Sequence, residues 1–341
     1  MVNLSFARFQ RGFNRVALKP VLSAWSQHNS KYYDINKSII VCGSGRSGTT
    51  WLAEMISALP NYSVLFEPCN VNCNRRCAQF ALPSSVPKTG NIAHMHLEYF
   101  KEVLSGTYLT ADLLLKKQMP RWDYWNNKGF VVKFIQLNWL LPWLISNIPL
   151  RALYIVRHPC AVVASQLTHP HWQDVREDEP WRKWGLLANH RQSSINSLLI
   201  REPWLLEIAN SLNSLEEALG FYWAVQNYQL LNPTENCPWY TVTYEQLVSN
   251  GPAEMSRIFE YLQEPLPPGA NKVRLTPSAT VIDSATTSSN AKLLAGWKEK
   301  LTSSQVDSIL NIVRRVGINV YSDELHPHVS SLPNQLLSSP S

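Results

Sequence analysis

Residues 39–56 read IIVCGSGRSGTTWLAEMI. Gly43, four residues, Gly48 and then Thr49-Thr50 reproduce the frame of a phosphate-binding loop, G-x4-G-K-S/T, with Thr49 where the lysine should stand. The nearest cation is Arg46, inside the loop. The run Ser38–Cys42 is β-branched and feeds straight into the glycines, as a buried parallel strand does. From Thr49 to Leu59 the apolar residues Leu52, Met55, Ile56 and Leu59 recur at helical spacing, up to Pro60-Asn61. A glycine loop between a strand and a helix is the setting in which such a motif binds an anion, with backbone N–H groups aimed at it from the positive end of the helix.

Thr49 cannot carry the charge that the missing lysine would bring to the β- and γ-phosphates of a nucleoside triphosphate. Arg46 can clamp a single terminal phosphate with two parallel hydrogen bonds. The loop therefore suits one phosphate bearing a transferable group better than a triphosphate–metal complex.

Working outward, further strands are expected at Ser63–Phe66, Gly129–Ile135, Leu150–Val156 and Pro238–Tyr244. Helices are expected around 94–118, at Ala161–Leu167, through most of 172–235 (with LGFYWAVQNYQLL, 219–231, the clearest stretch), at 253–263 and at Ser303–Val316. Strands alternating with helices imply an α/β fold, a parallel doubly wound sheet with helices on both faces and ligands at the strands' carboxyl ends. A basic arm at 1–37, one domain at 38–320 containing a helical acceptor-side region at 172–235, and a polar tail at 321–341 are the expected organisation.

A second cluster lies in LYIVRHPCAVVASQL, residues 153–167. Arg157 ends a strand, and Ser165 follows in the next helix, about two turns on. An arginine and a hydroxyl so placed can grip a second, separate phosphate.

Composition narrows the alternatives. The 341 residues are 45% hydrophobic and 16% charged, and they carry a net charge of +6. Most of that excess sits in residues 1–38, where Arg8, Arg11, Arg15, Lys19, Lys31 and Lys37 face Asp34 alone. The nearly neutral body argues against a nucleic-acid-binding face. In the arm, Phe6, Phe9, Phe13 and Val16 share a helical face among arginines, so residues 4–19 suit packing on the domain or peripheral contact with a membrane. No secretory signal pattern is present. The most apolar run, 134–150, contains Gln136, Asn138, Pro142, Ser146, Asn147 and Pro149, which disqualifies it as a membrane span. Cys69, Cys73 and Cys77 lack the second half of a zinc site, and free thiols in a cytoplasmic protein are expected. His94, His96, His158, His169 and His171 show no convergence legible in sequence; no metal is expected, and His158 should face the turn after its strand.

GSGRSGTTWL together with VRHPCAVVAS resembles the sulfotransferases that use 3′-phosphoadenylyl sulfate (PAPS). The RSGTT form of the loop is similar to the tyrosylprotein and carbohydrate branches, and YTVTYEQLVSN resembles a stretch of the tyrosylprotein branch. The resemblance spans roughly residues 39–315 and implies the P-loop-type sulfotransferase fold. It implies that Arg46, Ser47, Gly48, Thr49, Thr50 and Trp51 hold the 5′-phosphosulfate, and that Arg157 and Ser165 hold the 3′-phosphate. Tyr244 would lie near the adenosine, and SATTSSNAKLLAGWKEK (284–300), with Ser288 and Lys292, would fold over the donor.

Many cytosolic members draw a basic histidine from a K-S/T-H strand. Here that strand reads VVKFIQLNW: Lys133 is kept, but Ile135 and Gln136 occupy the histidine region. The other branches place a glutamate on the strand after the loop's helix, in EP or EE contexts, and the resemblance thus implies Glu67, at the end of the second strand in SVLFEPCN, as the general base. Lys133 would stabilise the bridging oxygen, with Arg46 sharing the sulfonate charge. The expected acceptor is a hydroxyl or amine on a small molecule or glycan-like compound, since the membrane anchor usual in the tyrosylprotein and carbohydrate branches is missing. A small-metabolite kinase with a degenerate loop, or a non-catalytic anion-binding module, are the competing readings.

Overall fold

The computed structural model describes residues 19–70, 91–110, 113, 127–135, 137–168, 202–233, 238–276, 290–328 and 332. Five strands form one sheet: β1 (Ile39–Cys42), β2 (Tyr62–Phe66), β3 (Gly129–Phe134), β4 (Arg151–Val156) and β5 (Trp239–Thr243). Their spatial order is β2-β3-β1-β4-β5, and every pairing is parallel. Both neighbours of β1 are in register with it, Cys42 facing Phe134 on one side and Tyr154 on the other.

The helices are α1 (19–32), α2 (Thr49–Ile56), α3 (Asn91–Leu104), α4 (Leu141–Asn147), α5 (Pro159–Thr168), α6 (Pro203–Asn210), α7 (Leu215–Leu231), α8 (Tyr244–Ser249), α9 (Gly251–Tyr261), α10 (Pro268–Arg274), α11 (Asn290–Ala295) and α12 (Ser303–Arg315). Side chains alternate across each strand and so feed two separate cores. On one face Ile39, Val41, Val64, Val131, Leu153, Ile155 and Val242 pack with residues of α2, α8, α9 and α10. On the other, Ile40, Leu65, Val132, Phe134, Tyr154 and Val156 pack with residues of α3 to α7 and α12. Helices on both faces of an all-parallel sheet confirm the doubly wound α/β reading. Strands buried on both sides explain why each was legible as a short apolar run.

This second core draws on residues either side of 38–320. Leu22 and Trp25 of α1 are buried in it, as is Tyr321. The arm's Phe6, Phe9, Phe13 and Val16, the contact surface suggested at 4–19 below residue 19, and residues 172–201 lie outside the described residues. Among the described residues no helix is long and apolar enough to cross a membrane.

One helical expectation is corrected, and two short helices appear that the sequence reading did not anticipate. The helix expected around 94–118 starts at Asn91 and stops at Leu104, where Gly106 turns the chain at φ 67°. The helix expected at 253–263 is present as α9, Gly251–Tyr261, with Pro252 in its first turn, and a short helix not expected from the sequence, α8, precedes it: α8 begins directly at Tyr244, where the fifth strand was expected to end, capped by Thr243, whose hydroxyl accepts from Gln246 N–H. Residues 141–147, first read only as an apolar run, form α4, with Pro142 in its first turn.

Candidate active site

β1 and β4 lie side by side, and the chain leaves them in opposite directions across the sheet. The crevice beyond their carboxyl ends is therefore the topological switch point of this fold. The glycine loop follows β1, and Arg157 follows β4.

The loop is built from small residues for local reasons. Gly48 caps α2 at φ 97°, a left-handed conformation that favours glycine, and a Cβ there would lie 2.9 Å from Cδ2 of Tyr244. A Cβ on Gly43 would run into the carbonyl oxygen of Ile155 on the adjacent strand. Ser44 and Ser47 bridge the loop, their Oγ atoms 2.6 Å apart. Ser47, Thr49, Thr50 and Trp51 are buried at the start of α2.

Arg46 sits at the loop's apex with φ 75°, strained for a residue with a side chain. Its Nε donates to Ser165 Oγ at 3.0 Å. Arg157 donates from Nη1 to the Arg46 carbonyl oxygen at 3.4 Å and from Nη2 to that of Leu293 at 3.3 Å. Its guanidinium carbon lies 4.1 Å from the centre of the Tyr244 ring, which also packs against Trp51 with ring centres 5.5 Å apart. Sequence-distant residues 46, 157, 165 and 244 are thus gathered at one place. Burial, and next the neighbouring charge of Arg157, lower Arg46 below the ordinary guanidinium value. Among the described residues no carboxylate forms an ion pair with either arginine. Two cations this close fit a multiply charged anion.

Glu67 and Lys133 are also brought together, at the ends of β2 and β3. The Lys133 ammonium donates to Glu67 Oε1, and Asn70 Nδ2 donates to Glu67 Oε2 at 2.8 Å. Lys133 also lies 4.0 Å from the ring centre of Phe66, its partner in the β2–β3 register. Glu67 turns out of the strand at φ 50°, again strained for a non-glycine residue. The turn is held by its own N–H on the Lys133 carbonyl, by Asn70 N–H on the Glu67 carbonyl, and by Tyr99 of α3, whose hydroxyl donates to the Pro68 carbonyl at 2.6 Å.

Lys292 lies in α11, next to Leu293, whose carbonyl receives Arg157. Ser288, Gln136, His169, His171, Cys73 and Cys77 lie outside the described residues. Cys69 is buried. His158 does face its turn: Nδ1 accepts from Cys160 N–H at 3.1 Å, Nε2 meets the Ser322 carbonyl at 2.8 Å, and Trp297 stacks on the ring at 4.6 Å. Burial holds the imidazole down to about 4, so it is neutral at physiological pH. His96 is buried in α3, whereas His94 on the same helix is exposed.

Sequence reasoning passed over Phe66, Asn70 and Glu245. The first two flank Glu67 by one and three residues, a proximity that would have flagged them. Glu245 follows Tyr244 and is buried: Oε1 accepts from His158 N–H at 2.9 Å and Oε2 from the Tyr321 hydroxyl at 3.1 Å. Its only sequence signal was its place in the YEQL stretch.

A glycine loop at a helix N-terminus and a strand-end arginine meet at the switch point of a parallel sheet, the place where such sheets bind ligands and helix N-termini favour anions. The sulfotransferase domain family matches residues 36–290, and the chain belongs to that family; it is a sulfotransferase. No curated protein matches it by sequence. Among solved structures it is similar to the sulfotransferase domain from the curacin biosynthetic pathway, with a TM-score of 0.43 and 15% identity over 83% of this chain and 98% of that one. It is also similar to mouse sulfotransferase SULT7A1 complexed with PAP, with a TM-score of 0.38 and 14% identity over 86% of this chain and 89% of that one.

Proposed function

We propose that the enzyme takes its sulfuryl group from PAPS and passes it to a hydroxyl or amine of a small-molecule or glycan-like acceptor, with Glu67 as general base. The observation that carries the donor is the convergence of Arg46, Arg157 and Ser165 around one crevice. In this reading the loop N–H groups and hydroxyls of residues 46–50 bind the 5′-phosphosulfate, with Trp51 behind them. Arg157 and Ser165 bind the 3′-phosphate, Tyr244 borders the adenosine, and the 284–300 segment, with Ser288 and Lys292, covers it.

The acceptor oxygen or nitrogen attacks sulfur in line as the bond from sulfur to the bridging phosphate oxygen breaks. Glu67 takes the acceptor's proton, and the leaving nucleotide is adenosine 3′,5′-bisphosphate (PAP). Lys133, beside Glu67, meets the charge gathering on the bridging oxygen, and Arg46 shares the charge of the sulfonate. The step as written moves a proton and a sulfuryl group and asks no metal of the protein. A cytoplasmic location and a small-molecule acceptor complete the reading; they rest on composition and on the family pattern.

Calorimetric titration with PAP and with adenosine 5′-monophosphate (AMP) tests the donor. PAP should bind at least about tenfold more tightly, the value of one charge-assisted hydrogen bond of about 1.5–3 kcal/mol. Arg157→Ala should erase that advantage while leaving AMP binding little changed. Wild-type protein that binds PAP no better than AMP would defeat the two-phosphate reading.

A further inference from the structure

Consecutive residues at the end of β5 grip consecutive residues at the end of β4. The register sets Val156 opposite Thr243, so Arg157 and His158 come level with Tyr244 and Glu245. Tyr244 offers its ring to the Arg157 guanidinium, and Glu245 accepts the His158 backbone N–H. The Glu245 carboxylate has its other oxygen on Tyr321, in the segment following α12. The same segment sends the Ser322 carbonyl to the His158 ring, and Trp297 closes the other side of that ring. The turn carrying Arg157 is thereby held from β5, from residues 321–322 and from Trp297.

Resting on the PAPS reading above, we infer that Glu245 is a positioning residue for recognition of the 3′-phosphate: through His158 N–H it fixes the turn from which Arg157 projects, and Tyr321 fixes Glu245. A buried carboxylate is costly to retain; among the described residues Glu245 is engaged by His158 N–H and the Tyr321 hydroxyl, with the charge of Arg157 close enough to favour its ionised form. Its effect is on Arg157 alone, so it should bear on the 3′-phosphate and not on the 5′ side of the donor.

The test is the ratio of PAP to AMP affinity, measured calorimetrically on the full chain, with thermal melting alongside. Glu245→Gln can keep both contacts, its carbonyl oxygen on His158 N–H and its amide donating to the Tyr321 oxygen, and should hold the ratio within about threefold of wild type. Glu245→Ala should lower the ratio about tenfold or more, through PAP alone, with AMP binding unchanged. Tyr321→Phe should lower it by a smaller factor, about two- to fivefold, and it decides the matter where Glu245→Ala fails to fold. Loss of general stability reduces the amount of competent protein but does not move the ratio.

Ratios unchanged in Tyr321→Phe and in folded Glu245→Ala, beside a wild type that discriminates, would overturn this inference and leave the donor reading standing. A wild type that does not discriminate overturns both.

Discussion

The Arg157 guanidinium sits over the Tyr244 ring, its central carbon 4.1 Å from the ring centre. The ring itself rests on Trp51 of α2, so an aromatic pair ties the arginine from β4 to the helix of the glycine loop. An aromatic face attracts the cation without using up its N–H donors, two of which here reach the Arg46 and Leu293 carbonyls at 3.4 and 3.3 Å. Tyr244→Phe, which keeps the ring, should leave the KM for PAPS within about twofold of wild type. Tyr244→Ala removes a contact worth about 0.5–2 kcal/mol and should raise that KM about two- to thirtyfold. Steady-state kinetics at saturating acceptor separates the two.

Glu67→Gln removes the proposed proton acceptor without changing its size. Turnover should fall about 100- to 10,000-fold, the usual worth of general base catalysis. PAP affinity should be unaltered, since Glu67 is not part of the arginine crevice. Full activity in this variant would take the base role away from Glu67.

Arg46 occupies a left-handed backbone position at φ 75° beside another cation, Arg157. Left-handed geometry costs a residue with a Cβ about 1–2 kcal/mol. Arg46→Gly removes that strain and the repulsion, and loses one hydrogen bond to Ser165. The variant should melt no lower than wild type, while sulfuryl transfer drops by about 100-fold or more. A melting temperature several degrees lower would show that the loop needs this side chain to fold.

The neutral imidazole of His158 makes stability depend on pH. The unfolded chain takes up a proton near the ordinary histidine value of 6.5, whereas the folded chain resists protonation down to about 4. The unfolded state therefore binds more protons in that window, and stability, full above it, declines as pH falls from 6.5 towards 4, by on the order of 3 kcal/mol. Burial raises the neighbouring Glu245, which works in the opposite sense at the acid end. The difference between wild type and His158→Asn isolates the histidine: melting between pH 7 and pH 5 should fall more steeply in the wild type. Equal slopes would contradict this account.

Much of the fold could be read from local pattern, because each strand is buried on both faces and so appears as a compact apolar run. The glycine loop was legible for a different reason: Gly43 and Gly48 occupy places where a Cβ would strike Ile155 or Tyr244, so their spacing records the geometry. Helix limits were harder to read. The stop at Leu104 depends on a turn at Gly106, and the start of α8 at Tyr244 depends on a hydroxyl cap at Thr243, one residue inside what looked like strand. Arg46, Arg157, Ser165 and Tyr244 were found individually, yet nothing local says that they meet, since that follows from the strand order. Glu245 escaped notice because its partners are a backbone N–H 87 residues earlier and a hydroxyl 76 residues later. An acidic residue just after a strand otherwise reads as ordinary first-turn decoration of a helix.

Because the glycine loop and Arg157 follow strands that are hydrogen-bonded neighbours, their separation is inherited from the spacing of the sheet, about 4.8 Å from strand to strand. The backbone acts as a ruler, calibrated before any side chain is chosen. Changes elsewhere in the chain leave that ruler uncut, and widening the gap between β1 and β4 would mean dismantling the sheet itself.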